Sequence, residues 1–274
     1  MTVVNAIMTA IFDALLRPFS GVSPWYGIAV VSLLTSVVML FVFRYTSNQR
    51  AIRQAKDRIR AHLLEVRLYR DDVGVLLRAQ KDILLNNLRY LGHSLVPLAA
   101  MIVPVVLILV QLNAHYGYRP LQPGESVILA ATFRPGADLD AESPRLVVPD
   151  GLRVETPALH IPALAEVDWR IGAERPDRYT VRIAVGGQQF EKEVVVSRSG
   201  TRVSPRRVGS GLLDAMTNPG EKPLPPGSPL RVIAVQHEPA ALPLLRWNVH
   251  WLVAFFVLSI GFGFALKGVF RVEV

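Results

Sequence analysis

The sequence predicts an integral membrane protein with three transmembrane α-helices, a cytoplasmic helical hairpin and an external all-β domain. Three observations predict this fold class. First, 51% of the 274 residues are hydrophobic, and they are concentrated in blocks. Second, residues 26–43, 94–112 and 247–266 contain no Asp, Glu, Lys or Arg, and each block approaches the ~20 residues that cross a bilayer. Third, the stretch after Gly117 alternates apolar and polar residues, as strands do. A buried core helix is the alternative for any one block, and three such blocks favour membrane spans.

The distribution of the net charge of +8 predicts the orientation. Residues 44–92 hold eleven basic and five acidic side chains, whereas residues 114–246 hold sixteen and fifteen. The positive-inside rule therefore places residues 44–92 in the cytoplasm. The prediction is a multi-pass protein of the cell (inner) membrane with its N-terminus outside and its tail, 268–274, in the cytoplasm. So localised a charge argues against nucleic acid as a partner, and the absence of cysteine excludes disulfides and thiol chemistry.

Residues 1–24 are predicted to form an amphipathic helix on the outer membrane surface, with a disordered N-terminus as the alternative. Apolar residues recur at helical spacing along one face, which comprises Val4, Ile7, Ile11, Leu15 and Phe19. The first span, residues 25–43, follows. Ser32, Thr35 and Ser36 lie at positions i, i+3 and i+4 within it and form a polar stripe. Such a stripe either bonds a neighbouring helix or lines a water-filled recess, and both interpretations stay open.

Residues 44–92 are predicted to form a basic cytoplasmic hairpin or coiled coil. Ile52, Ile59 and Val66 recur every seven residues, and the sequence RDDVG at 70–74 supplies a turn between arms at 50–69 and 73–91. The alternative is one uninterrupted rod. The first arm carries the basic residues Arg50, Arg53, Lys56, Arg58 and Arg60. These are predicted to contact anionic lipids, or else they form only a solvated face.

The second span, residues 93–113, contains Pro97 and Pro104, which are expected to kink the helix because each removes a backbone donor. The external domain, 114–198, shows successive strand patterns from SVILAATF to QQFEKEVVVS, and Gly186-Gly187 supplies a two-residue hairpin turn. Short strands in this number predict a β-sandwich. The segment DRYTVRIAV resembles the immunoglobulin-like strand that carries a tyrosine corner, with Tyr179 in that role.

The remainder of the chain is predicted to return to the membrane. Residues 199–228 are rich in Gly, Pro and Ser and predict an extended linker, with one helical turn at 212–216. Residues 229–246 predict a final strand and the re-entry, and residues 247–267 the third span. Gly261 and Gly263 within that span are expected to let helices approach closely.

The sequence shows no pattern that indicates catalysis. The six His residues do not cluster at metal-ligand spacing, and no nucleophile, base or phosphate loop stands out. We therefore expect neither enzyme activity nor a cofactor nor a bound metal.

Residues 1–112 resemble the N-terminal core of the YidC-type membrane protein insertases. The resemblance rests on an outer amphipathic helix, a span within SPWYGIAVVSLLTSVVMLFVFRYTSNQ, a basic hairpin that turns at Asp71-Asp72, and a second span introduced by NNLRYLGHSLVPLAAMIVP. It departs from the bacterial pattern at Met39, where the family has a groove arginine, and Arg44 is the nearby arginine. One span replaces the last two of the five-span core, as in the archaeal and endoplasmic reticulum relatives with three spans. The external β-domain belongs to neither group.

The resemblance implies a protein that eases membrane insertion through a polar intramembrane groove without nucleotide hydrolysis. Ser32, Thr35 and Ser36 would line that groove, and Arg44 would attract acidic groups at its mouth. The basic hairpin would receive the nascent membrane protein, the ribosome or the translocon. The alternative is a structural or adaptor subunit whose β-domain binds an unknown external protein. A transporter or channel component is a further alternative, against which the lack of intramembrane charge counts.

Overall fold

The computed structural model describes residues 2–19, 21–47, 54, 57–61, 64, 73–136, 143–244 and 246–270. The chain divides into two compact units. The β unit comprises residues 1–27 and 107–252, and the helical unit comprises residues 28–106 and 253–274.

The helices of the described chain include three that are long and apolar enough to cross a membrane. In chain order they are α1 (Thr2–Leu16), α2 (Pro24–Thr46), α3 (Val73–Tyr116), α4 (Leu212–Thr217) and α5 (Trp251–Phe270). The three candidate spans are α2, residues 80–116 of α3, and α5. Their length and composition are those of a membrane protein.

The strands of the β unit form two antiparallel sheets and a separate hairpin. The strands are β1 (Ser126–Phe133), β2 (Arg145–Val147), β3 (Leu152–Val154), β4 (Leu159–Ile161), β5 (Glu166–Ala173), β6 (Asp177–Val185), β7 (Gln188–Val196), β8 (Arg206–Val208), β9 (Leu230–Val235), β10 (Leu242–Leu244) and β11 (Trp247–Val249). The larger sheet has the order β3-β5-β1-β9-β8, with β4 also paired to β5, and the smaller has the order β2-β6-β7. Strands β10 and β11 form a separate two-stranded sheet.

Both sheets contribute to one hydrophobic core. Alternation along the strands produces this core. In strand β6, Tyr179, Val181 and Ile183 are buried while the residues between them are exposed. The period of two thus directs alternate side chains inward, where they meet Leu129, Phe133 and other residues of the larger sheet. The strands predicted from this period are confirmed. Two sheets around a shared core form a sandwich, and its membership of the immunoglobulin-like class stays a prediction.

Two local details of the sandwich agree with the sequence analysis. Gly186 and Gly187, with φ of 53° and 78°, form the two-residue turn between paired Val185 and Gln188. The Tyr179 hydroxyl donates a hydrogen bond of 2.9 Å to the Arg175 carbonyl oxygen, which is the contact of a tyrosine corner. Gly151 lies against this hydroxyl so closely that an added Cβ would sit 2.2 Å from the oxygen.

The segment 199–228 differs from the predicted extended linker, because it packs onto the sandwich. Residues 206–208 form β8 on the edge of the larger sheet, and Val203 and Leu224 are buried. The segment also covers the outer edge of β7. The Glu221 carboxylate accepts a hydrogen bond from the Glu193 backbone amide, and the Arg207 guanidinium donates one to the Glu191 carbonyl oxygen. An edge strand as long as β7 would otherwise present a row of unpaired backbone groups.

The chain enters and leaves the sandwich through adjoining segments. Tyr118 forms an isolated bridge with Pro239, and the amide of Arg119 donates to the Glu238 carbonyl at 3.0 Å. The Arg119 guanidinium also lies 2.7 Å from carboxylate oxygens of both Glu125 and Glu238. This guanidinium holds the pKa of Glu125 below its usual range.

Helix α1 packs one side against the rest of the β unit. Phe12 and Leu16 are buried, and the Asn5 side-chain amide donates to the Ala215 carbonyl at 2.6 Å. The opposite side is apolar and exposed, with Ile7 54% and Ile11 52% accessible. An amphipathic helix at residues 1–24 was predicted, and the structure places a helix there with this outward apolar face.

Two span boundaries differ from the predicted ones. Helix α3 runs without a break from Val73 to Tyr116, through Gly92, so that the second hairpin arm and the second span are one helix. A single glycine costs a helix only about 1 kcal/mol, which the neighbouring turns outweigh. The third span begins at Trp251 rather than at residue 247, because Trp247–Val249 pairs with Leu242–Leu244.

Candidate functional site

The polar stripe of α2 is buried within the helical unit. Ser32, Thr35 and Ser36 have accessible fractions of only 0%, 4% and 3%. They share a helix face with Ile28, Val31 and Leu40, which are also buried, because this spacing repeats once per helical turn. The structure therefore brings together the three residues that the sequence grouped, on a face that is closed.

The hydroxyls of Ser32 and Ser36 bond backbone carbonyls of α5. Ser32 Oγ donates to the Phe255 carbonyl oxygen at 3.3 Å. Ser36 Oγ lies 2.7 Å from the Ser32 carbonyl oxygen and 2.8 Å from that of Ser259, so its one proton is shared between them. Serine hydroxyls at membrane depth are commonly satisfied in this way, by their own helix and by a neighbour.

This geometry corresponds to the helix-packing interpretation of the stripe. A groove lined by the three side chains would open only if α5 moved away from α2. The glycines of α5 do not mediate the contact, because nothing lies within 4 Å of the Cβ positions of Gly261 and Gly263. Their expected role in close helix approach is thus absent from the described residues. The groove itself stays a prediction.

Arg44 lies at the cytoplasmic end predicted for α2. Its guanidinium donates to the Phe270 carbonyl oxygen at 3.4 Å, and Phe41 meets the Phe270 ring edge to face at 5.0 Å. A cation beside the last carbonyls of a helix compensates the helix dipole. Arg44 therefore caps α5 while its side chain remains exposed.

The other predicted site residues are described only in part. Arg58 and Arg60 are helical and exposed, and Arg60 lies 3.7 Å from Asp57. Arg50, Arg53 and Lys56, and the turn at Asp71-Asp72, lie outside the described residues. Pro97 and Pro104 lie inside α3, and the kinks expected at them stay predictions.

A buried charged cluster in the β unit was not predicted from the sequence. Lys192 is fully buried, and its Nζ donates to the carbonyl oxygens of Ser204 at 2.6 Å and Glu193 at 3.0 Å, and to the Glu221 carboxylate. Burial lowers the pKa of Lys192, and the Glu221 charge opposes that shift. His237 is also buried, and its desolvation, together with the charge of Lys192, lowers its pKa to about 4.

The sequence contained one signal for this cluster. In β7 the alternate positions Phe190, Lys192, Val194 and Val196 are all buried, so the lysine falls in the inward phase of the alternation. An inward lysine requires a buried counter-charge. The partner, Glu221, lies 29 residues away in the segment predicted as a linker, which no local pattern could indicate.

The described residues combine three helices that are long and apolar enough to cross a membrane with an antiparallel β unit, and they contain no cluster of three metal-ligating side chains. Comparison of the chain with protein families, with curated proteins and with solved structures gives no match in any of the three. The insertase resemblance therefore rests on the sequence segments alone.

Proposed function

We propose that this chain is an insertase-like factor that helps other membrane proteins enter the bilayer, with the closed stripe of α2 as its substrate-contacting surface. The observation that carries the proposal is a polar surface at membrane depth that only a neighbouring helix covers. The proposed orientation follows the positive-inside rule, with residues 44–92 in the cytoplasm and the β unit outside.

The contact between α2 and α5 is weak enough to open reversibly. Among the described residues, two hydroxyl bonds join the helices at the stripe, and such bonds contribute about 0.6 kcal/mol each inside a membrane. Only 11% of the apolar window of α5 is buried in the protein, so most of its surface stays in contact with lipid when it moves. Separation would free the hydroxyl of Ser32, while that of Ser36 would keep its bond to the Ser32 carbonyl oxygen.

An open stripe would lower the barrier to passage of a short polar segment. An isolated charge at the bilayer centre costs roughly 2.5–3.5 kcal/mol on insertion scales. The hydroxyls of α2, and the second lone pairs of the Phe255 and Ser259 carbonyl oxygens on α5, would replace part of the lost hydration. The exposed Arg58 and Arg60 would contact the incoming chain or the ribosome, and no nucleotide would be needed.

A reversible crosslink between α2 and α5 tests this proposal. The chain has no cysteine, so Ser36→Cys with Ser259→Cys introduces the only two thiols. The pair is closed by oxidation or by a short thiol-reactive linker. Insertion of a small membrane protein with a short external tail is then measured in proteoliposomes that contain the full-length chain.

The expected result is loss of insertion after crosslinking and its recovery after reversal of the crosslink. Arg182→Cys with Glu191→Cys, a facing and exposed pair on β6 and β7, is the matched control, because it crosslinks without touching α2. Insertion that continues in the crosslinked protein would exclude the opening of the stripe. No insertion by the wild-type chain would exclude the insertase proposal itself.

A second candidate function is an adaptor whose β unit binds an external partner. The burial of the stripe favours it, because a stripe that never opens serves only to hold α5. A photoreactive residue at Val147, which is 56% exposed on β2, and another at Val38, which is 43% exposed on α2, separate the candidates. Crosslinks to one resident protein from position 147, with none to nascent chains from position 38, indicate an adaptor.

A further inference from the structure

The β unit contains a cleft of about 740 Å³ between α1, the end of α3 and the sandwich. This volume lies within the range of roughly 300–1,000 Å³ typical of small-ligand sites. All of the residues that line it belong to the β unit. None of them was singled out as a functional residue in the sequence.

The lining of the cleft is amphipathic. Phe19, Val22 and Leu242 form an apolar part near the beginning of α2. The polar part contains four arginines and one carboxylate, namely Arg17, Arg119, Arg178, Arg202 and Asp13. A ligand that matches both parts has an anionic head and a hydrocarbon body.

Arg202 has a weaker contact with the protein than Arg119 and Arg178 have. Arg119 and Arg178 already bond glutamates at close range. Arg202 approaches the Asp13 carboxylate at 3.5 Å, and that carboxylate also lies 3.0 Å from His115 Nε2. The Arg202 side chain is only 21% exposed. A guanidinium so enclosed has donors left for a phosphate, whose oxygens it bonds well.

The elements around the cleft carry surfaces suited to the membrane interface. The outward face of α1 exposes Ile7 and Ile11, and the β10–β11 hairpin exposes Trp247 at 78%. Pro24, the first residue of α2, and Tyr116, the last of α3, both line the cleft. Because spans begin and end at headgroup depth, the cleft lies where lipid phosphates are found.

We propose that this cleft binds the headgroup of an anionic phospholipid from the leaflet on the side of the β unit. Arg202 bonds the phosphate, and the apolar part around Phe19 contacts the glycerol and upper acyl chain. This site is distinct from the predicted lipid contacts of the basic cytoplasmic arm. It requires the membrane assignment and is independent of the insertase proposal.

The test measures lipid retention by native mass spectrometry of the full-length chain released from detergent micelles. The micelles contain phosphatidylglycerol or phosphatidylcholine with the same acyl chains. We expect preferential retention of phosphatidylglycerol, and about ten- to hundredfold weaker binding by Arg202→Gln, the usual effect of losing a hydrogen bond to a charged group. Arg231→Gln, an exposed arginine on β9 outside the cleft, is the charge-matched control and should bind as wild type.

Further variants keep the proposal falsifiable if Arg202→Gln unfolds. Arg202→Lys retains the charge and should bind more tightly than Arg202→Gln, whereas Phe19→Ser should weaken lipid binding without affecting the binding of glycerol phosphate. Equal retention of the two lipids by the wild type would overturn the proposal. So would inorganic phosphate that displaces the lipid at equal concentration, because the ligand would then be free phosphate.

Discussion

Glu221→Gln provides a sharp test of the buried cluster in the β unit. The Glu221 carboxylate accepts from Lys192 Nζ and from the Glu193 amide, the latter at 3.0 Å. Glutamine has a similar shape but only one acceptor oxygen, and its amide group donates. Either Lys192 Nζ or the Glu193 amide would therefore face the donating amide group of the glutamine. The Lys192 charge would also lose its counter-charge.

The structure indicates a large effect. The Lys192 side chain is 0% exposed and that of Glu221 is 12% exposed, so water screens the pair little. Removal of one partner from a buried pair costs about 3–5 kcal/mol. For a unit of this size, that corresponds to a fall in Tm of roughly 6–20 °C. Lys192→Met combined with Glu221→Gln removes the unpaired charge and should be more stable than Glu221→Gln alone.

Thermal unfolding of the full-length chain in detergent, followed by near-ultraviolet circular dichroism, measures the change. Hydrogen exchange of β7 and residues 197–224 localises it, because the pair joins this segment to the edge of β7. A loss below about 1 kcal/mol for Glu221→Gln would contradict the assignment of a desolvated pair. A double variant no more stable than the single variant would contradict it as well.

Two further predictions concern the sandwich. The pKa of His237 is about 4 in the folded protein against an ordinary value of 6.5, so between these pH values the unfolded chain takes up a proton that the folded chain does not. The free energy of unfolding should therefore fall by about 3 kcal/mol as the pH drops through this window. Urea titrations at several pH values measure this dependence, and His237→Gln should flatten it. If the free energy of unfolding of the variant depends on pH as that of the wild type does, His237 is excluded as the cause. Tyr179→Phe should cost about 1 kcal/mol, since it removes one hydrogen bond, whereas Gly151→Ala should cost more, because φ is +104° there and the new methyl group meets the Tyr179 hydroxyl. Equal Tm values for these two variants would contradict the close packing.

The sequence predicted the parts of the fold that local patterns determine. Strands such as DRYTVRIAV follow from alternation, the β6–β7 turn from its two glycines, and the spans from uninterrupted apolar composition. Strand β8 was missed because three residues between Pro205 and Gly209 give no periodic signal, and its place depends on pairing with β9. The start of α5 was misplaced because residues 247–249 contain no charged side chain and adjoin the apolar helix, so that their pairing with residues 242–244 distinguishes them.

The sequence predicted which residues form the candidate site, but it did not predict whether the site is open to water or closed by a helix. The spacing of Ser32, Thr35 and Ser36 places them on one helix face, and the structure confirms that shared face. Whether the face meets water or α5 depends on the tertiary arrangement, which the spacing of three hydroxyls does not determine. The cleft around Arg202 was missed for the same reason, because its walls come from five separated parts of the chain.

The bridge between Tyr118 and Pro239 brings the two ends of the sandwich together, and we call residues 118–239 the cassette. Its first and last residues are hydrogen-bonded neighbours. The cassette is therefore one continuous insertion between the second and third apolar helices, and its two ends adjoin. Domains whose ends meet can be inserted into a host protein with little disturbance of the host. The same junction offers protein engineers a position at which to exchange the cassette for another.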